Sequence, residues 1–214
     1  HRPLTSEEKK LLISGNCTSE NWDNILVLEG FDTSRCRNVH FSGTIRLGQF
    51  KRDFTDSSGV SISSGITNSH LHNCTVGNNV SIYNVRDYIA NYVIEDEVII
   101  RNCGKFHIEG SSSFGNGTSV AVLNETGARS VKIWDRLSAH QAYIIALYRH
   151  RTGAIARIEQ MTDDYASGIR SAEGLIGKGA NIMNCDYLRN VRIGPSAVID
   201  GAIRLSEGSV NSSP

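Results

Sequence analysis

The sequence predicts an all-β solenoid of short strands bent at regular intervals, interrupted by one helical insertion. Three observations carry that prediction. The first is periodicity. In "GLIGKGANIMNCDYLRNVRIGPSAVIDGAIRLSEGSV", Ile176, Ile182 and Leu188 are six apart, and Ile193, Ile199 and Leu205 continue at six after one step of five. An α-helix repeats every ~3.6 residues and a strand every ~2, so neither sustains a period of six. Short strands that turn one aliphatic side chain inward at each bend do sustain it. The second is composition: aromatics are 7% of the 214 residues, while Gly, Ser, Asn, Val and Ile are plentiful. That balance favours strands joined by tight turns over a helical bundle. The third is glycine placement, with Gly177, Gly179 and Gly194 where bends need a permissive backbone.

The same rhythm runs earlier in the chain, through Ile66, Leu71, Val76 and Ile82 at five, five and six. The words "IGKGAN", "IGPSAV" and "VGNNVS" resemble the hexapeptide repeat of left-handed parallel β-helix proteins. The resemblance covers residues 37–110 and 172–214. It implies a single-stranded left-handed parallel β-helix, three hexads to each coil of a triangular prism, and a homotrimer. It implies fold rather than reaction, because the repeat encodes the prism. Local phrases, "FGNG…VLNETG" followed by a helical segment containing "ALYRHR", also resemble an uncharacterised Bacteroidetes family of long hexapeptide-repeat proteins. That likeness implies that the chain continues in a longer protein.

Residues 1–36 read as a helical cap over the open end of the prism. "LTSEEKKLLISGNC" has Thr5 or Ser6 as N-cap, acidic residues in its first turn and Gly15 at its end, and a further helical turn is expected from Thr18. Residues 37–134 read as coils with a protruding hairpin, whose two strands flank a turn at Glu125–Gly127. Residues 135–170 form the helical insertion. Ser138 and Gln141 fit a capping box, and "AHQAYIIALYRH" is apolar around much of its circumference, which predicts a buried helix. Thr152-Gly153 interrupts the pattern before a stripe of Ile155, Ile158, Met161 or Thr162, and Tyr165. A helical hairpin or one kinked helix satisfies that pattern. Residues 171–214 return to coils.

Charge and cysteine usage narrow the function. Lys plus Arg equals Asp plus Glu at 22 each, so no basic field attracts nucleic acid. The longest apolar run, "AYIIALY", is far short of the ~20 residues that span a bilayer. The five cysteines have no CxxC spacing, and Cys74, Cys103 and Cys185 share a slot after Asn that elsewhere holds Val. A slot accepting Cys or Val wants a small apolar side chain, so these are packing residues, and unpaired thiols point to the cytoplasm. The histidines lack the spacing of a zinc site, and "GLIGKGA" lacks the P-loop serine or threonine after Lys178. No metal and no bound cofactor are expected.

With Leu71 turned inward, His70 and His72 both face outward. The word "HNCTVGN", His72 to Asn78, resembles the region around the catalytic base of the UDP-N-acetylglucosamine O-acyltransferases, which read His-Asp-Cys-Thr-Val-Gly-Asn there. The resemblance implies His72 as general base, with Asn73 in the place of the acidic neighbour. His72 would take a proton from a sugar or nucleotide-sugar as it attacks an acyl thioester, carried by acyl-CoA or acyl carrier protein. Two departures stand against it: Asn73 is not acidic, and His70 precedes by two positions rather than three. Expected substrate-binding residues are His70, Asn91, Asn116, Asn124, Glu125 and His140; His107 also faces outward. The alternative is a non-catalytic assembly or ligand-binding module of a longer, nucleotidyltransferase-like protein of sugar metabolism.

Overall fold

The structure, a computed structural model, describes residues 1–56, 58–122 and 130–211. The chain begins with β1 (Arg2–Pro3), α1 (Ser6–Ser14), β2 (Thr18–Ser19), β3 (Ile25–Val27), β4 (Cys36–Leu47), β5 (Phe54–Thr55), β6 (Ser61–Ile62) and β7 (Gly65–Val76). Then come β8 (Ser81–Val85), β9 (Ile89–Ala90), β10 (Tyr92–Ile94), β11 (Ile99–Cys103), β12 (Lys105–His107), β13 (Ser119–Ala121) and β14 (Ser130–Lys132). It ends with α2 (Ala139–Leu147), α3 (Thr152–Ile169), β15 (Gly174–Ile176), β16 (Asn181–Met183), β17 (Tyr187–Ile193), β18 (Val198–Asp200) and β19 (Arg204–Val210).

Of the aliphatic residues spaced by five or six, Ile66, Leu71, Val76, Ile82, Ile176, Ile182, Leu188 and Ile193 are fully buried, Ile199 is 9% exposed and Leu205 is only partly buried. Between them the chain bends at asparagines held at positive φ, among them Asn38, Asn68, Asn73, Asn84, Asn102, Asn184 and Asn190. Asparagine adopts this left-handed conformation at less cost than other side chains bearing a Cβ. The residue after each bend returns to the interior, so Val39, Cys74, Val85, Cys103, Cys185 and Val191 are buried.

Strands stack in parallel on partners one turn of the repeat away: Leu71 pairs with Ile89, Ile82 with Ile100, and Leu188 with Leu205. The twelve-residue β7 pairs with β4 on one side and with β8, β9 and β10 in turn on the other. The pairings β7–β9–β12–β17–β15–β10, with β10 back on β7, close a ring of six parallel strands. The remaining strands of the 15-stranded sheet attach to that ring. The expected single-stranded left-handed parallel β-helix is therefore corrected: among the described residues the architecture is a closed six-stranded parallel barrel with added strands and three α-helices. The physical reason lies in the bends. Asn38 in β4, Asn68 and Asn73 in β7, and Asn190 in β17 turn the chain without ending the strand. A strand that runs through its bends pairs with successive partners and links them into a closed ring.

The N-terminal cap is only partly helical. The Thr5 hydroxyl accepts the Glu8 N–H at 3.2 Å and the Glu8 carboxylate accepts the Thr5 N–H at 2.8 Å, the box that starts α1. The helical turn expected at Thr18 is instead β2, followed by a 3-10 turn at Trp22–Asn24, and β1, β2 and β3 all join the large sheet.

The insertion leaves the sheet through paired backbone bonds between Ser112 and Ser171, at 2.9 and 3.0 Å. The antiparallel β13–β14 pair forms the protruding hairpin, and its expected turn at Glu125–Gly127 lies outside the described residues. The Ser138–Gln141 box starts α2, and α3 follows as a separate helix. Val131, Ile145, Ala146 and Ile155 make a small core apart from the main one. The expected burial of α2 is corrected: Tyr143, Ile144, Leu147 and Tyr148 are exposed, because only Ile145 and Ala146 face the hairpin. Among the described residues, no helix is long and apolar enough to cross a membrane.

Candidate functional site

Where β4, β7, β9, β12 and β17 lie side by side, Phe41, Leu71, Ile89, Phe106 and Leu188 form one inward row, all fully buried. Alternation then turns the residues on either side of that row outward as two columns. In the first column, T-shaped contacts join His40 to His70 at 4.5 Å between ring centroids and His70 to Tyr88 at 6.1 Å. It continues with Lys105 Nζ 4.8 Å over the Tyr88 ring and Arg204 5.0 Å over Tyr187. The second column runs Ser42, His72, Ala90, His107 and Arg189 by register.

Ala90 is the gap in that column. Its methyl group reaches no further than the floor, and a cleft of about 390 Å³ opens above it. His72 and His107 stand at the two ends, Tyr88 and Lys105 form one wall, and Asn91 and Glu109 the other. Both His70 and His107 are held below the usual histidine pKa. Burial is the main cause for each, followed by the neighbouring His40 and His72 for His70 and by Lys105 for His107.

Hydrogen bonds assign the His72 tautomer. Asn73 Oδ1 accepts the Thr44 N–H at 2.9 Å, which turns its Nδ2 toward His72 Nε2 at 3.0 Å and Asn91 Oδ1 at 3.3 Å. An amide nitrogen only donates, so His72 Nε2 is unprotonated and its lone pair is taken. The His72 proton therefore sits on Nδ1 and is donated to Ser42 Oγ at 2.9 Å. Ser42 Oγ also lies 3.0 Å from His70 Nε2 and 3.5 Å from the Leu71 carbonyl oxygen. Gly43 makes this arrangement possible. It sits at φ +63, and a Cβ there would fall 2.1 Å from Asn73 Oδ1.

The structure thus brings together His70, His72, Asn73 and Asn91 of the expected site residues, and adds His107 and Lys105. Asn73 serves a bend and binds the basic nitrogen; it does not orient the imidazole as an acidic neighbour would. Asn116 is buried elsewhere, its amide donating to the Ser113 carbonyl at 2.8 Å and accepting the Asp135 N–H at 2.7 Å, so it is a structural plug. His140 is exposed in the first turn of α2 and lines no part of the cleft. Asn124 and Glu125 lie outside the described residues. Sequence reasoning missed Ala90 and Lys105. The signal was present, since Ala90 and Tyr88 each follow a histidine of "SHLHN" by eighteen positions.

Among the described residues, no group of three or more His, Cys, Asp or Glu side chains could hold a metal ion. The five cysteines are free and buried, and burial pushes the thiols of Cys74 and Cys103 up to about 12 and about 11.

An uncharacterized protein from Treponema pallidum (strain Nichols) is 30% identical over 223 residues, covering 99% of this chain and 31% of that relative. The chain thus spans about a third of the length of the relative it matches. No solved structure matches it. The model of the domain of unknown function DUF4954 matches residues 1–214, and the chain belongs to that family.

Proposed function

We propose that the chain is a non-catalytic ligand-binding module, and that the cleft over Ala90 takes a sugar or nucleotide-sugar. One observation carries the reading: the only lone pair by which His72 could act as a base is held by the Asn73 amide, while the cleft beside it stands open. A general base needs a free nitrogen within hydrogen-bond reach of the proton it removes. A binding site needs shape, flat faces and a few fixed polar groups. Tyr88 and the His107 imidazole supply faces on which a pyranose or a base can stack. Lys105 stands at the rim for hydroxyl or phosphate oxygens and the Glu109 carboxylate for hydroxyls, while the Asn91 amide is already engaged by Asn73 and the Ile108 carbonyl. The length of the Treponema relative supports a place within a larger protein, and five free, buried thiols support a cytoplasmic location.

The test is calorimetric titration with uridine diphosphate sugars and with acetyl-CoA, for the native chain and for Ala90→Leu. The larger side chain fills the cleft from its floor. The expected result is sugar-nucleotide binding that weakens at least tenfold in Ala90→Leu, with an unchanged circular dichroism spectrum. Equal affinity in the two proteins sinks the reading. So does turnover of an acyl donor that disappears in His72→Ala.

A further inference from the structure

A second, chemically different cavity lies on another face of the sheet, before the Asn38–Asn68–Asn84–Asn102 bends rather than after them. There Arg37, Thr67, Tyr83 and Arg101 occupy one column by register, Arg37 opposite Thr67, Thr67 opposite Tyr83, and Tyr83 opposite Arg101. The segment around β6 passes beside this column and borders an open cavity of about 560 Å³. Three arginines (Arg35, Arg37 and Arg101) line it together with hydroxyls that include Ser61, Ser63 and Ser64, and no carboxylate does.

The charge of this cavity is only partly answered. Arg35 is paired with Asp53 at 2.7 Å. Arg37 and Arg101 make no ion pair among the described residues. The Arg101 guanidinium carbon lies 5.4 Å from the centroid of the Tyr83 ring, and its Nε is buried with no hydrogen-bond partner. Ser64 is the second, independent sign. It is 2% exposed and lines the cavity, yet its hydroxyl has no partner. Buried polar atoms are nearly always satisfied, so an unpartnered hydroxyl lining the same cavity as unpaired guanidinium groups points to a missing acceptor. An acceptor that also carries negative charge answers both deficits. Guanidinium groups bind tetrahedral oxyanions through paired, charge-assisted N–H bonds.

We propose that this cavity binds a phosphate ester, its oxygens held by Arg37, Arg101 and the Ser64 hydroxyl. The exposed face of Tyr83 offers a stacking surface if that ester is a nucleotide. The site shares no lining residue with the cleft over Ala90, so uridine diphosphate sugars titrated in an Arg37→Gln background read that cleft alone.

Inorganic pyrophosphate is the probe, titrated calorimetrically into the native chain at constant ionic strength. Saturable binding is expected, at least tenfold weaker in Arg37→Gln and in Arg101→Gln and about tenfold weaker in Ser64→Ala, the cost of one hydrogen bond to a charged group. Arg37 is exposed and holds no neighbour in place, so Arg37→Gln reads out binding without risk to the fold. Ala90→Leu should leave the affinity unchanged. Three results overturn the proposal: no saturable binding at millimolar pyrophosphate, an Arg37→Gln protein that binds as well as the native chain, or sulfate at equal ionic strength competing as well as pyrophosphate. Uridine diphosphate resolves the source of the phosphate. Tighter binding than pyrophosphate that is lost in Tyr83→Ala identifies a nucleotide, and equal binding in both proteins identifies a phosphate group alone.

Discussion

Replacing Gly43 with alanine tests the network that fixes His72. Two costs follow from the geometry. Gly43 sits at φ +63, a conformation that costs a side chain bearing a Cβ about 1–2 kcal/mol. The new Cβ would also fall 2.1 Å from Asn73 Oδ1 and 2.8 Å from its Cγ, so the amide must swing away. That movement breaks the bond from the Thr44 N–H, which the amide accepts at 2.9 Å, and because the bond is exposed its loss costs about 0.5–1.5 kcal/mol. The sum is roughly 1.5–3.5 kcal/mol. For a chain of this size each kcal/mol lowers the midpoint by about 2–4 °C, so scanning calorimetry should show a fall of roughly 3–14 °C. Gly43→Asn separates the two costs. Asparagine tolerates positive φ, as the bends of this chain show, but it carries the same Cβ. It should still lose the steric part. A Gly43→Asn protein as stable as the native one refutes the argument that the Asn73 amide occupies this space.

The lowered pKa values of His70 and His107 make stability depend on pH. In the unfolded chain both titrate near about 6.5 and in the folded chain lower, so below that value the unfolded state binds more protons. Their stabilising effect is full above about pH 6.5 and is lost as the pH falls through the folded values. Melting midpoints should drop between about pH 7.5 and pH 5, and His70→Gln should flatten the slope; a flat native profile contradicts the assignment. Thiol reagents should leave all five cysteines of the folded chain unlabelled and label all five after denaturation, since each is buried and free. Rapid labelling of Cys74 in the native protein would contradict its place in the core. Phe106→Ala, at a fully buried position of the inward row, should cost about 3–5 kcal/mol in denaturant titrations. Val198→Ala, at a 70% exposed position, should cost under about 0.5 kcal/mol, and similar losses in the two would refute the inward assignment.

What the sequence makes legible here is local. The inward residues announce themselves by period, the bends by asparagine followed by Cys or Val, and the starts of α1 and α2 by their capping boxes, because each signal is confined to a few neighbouring residues. Closure of the ring is not local. It rests on pairs such as Tyr92 with Gly174 and Phe106 with Leu188, brought together across the whole insertion. The exposure of α2 escapes for a related reason. Its apolar circumference is visible in "AYIIAL", but which face meets the hairpin depends on a partner that the pattern does not name. His70 and His72 are legible as outward residues. Their convergence with His107 is not, because it depends on whether each turn of the repeat takes seventeen residues or eighteen. Ile89 follows Leu71 by eighteen, and Phe106 follows Ile89 by seventeen.

A sheet that stacks its side chains in register makes a site by omission as readily as by addition. Along the second column a large side chain at position 90 would continue the wall from His72 to His107, and the only departure needed to open a cleft is a methyl group in its place. Asn73 illustrates the complementary constraint. A residue chosen for positive φ at a bend also presents an amide to whatever lies beside it, and here that neighbour is the basic nitrogen of His72. A carboxylate at the same position could accept the Thr44 N–H equally well, yet it could not donate to His72. The histidine would then need a proton on Nε2 and could pass the Nδ1 lone pair to Ser42 instead. One amide group therefore separates an imidazole held as a wall of a binding cleft from one arranged to exchange protons, and Asn73→Asp is the substitution that moves the site between the two. Nitrogen chemical shifts of His72 should report the change from an Nδ1–H to an Nε2–H imidazole, and an unchanged tautomer in Asn73→Asp would show that the amide does not set it.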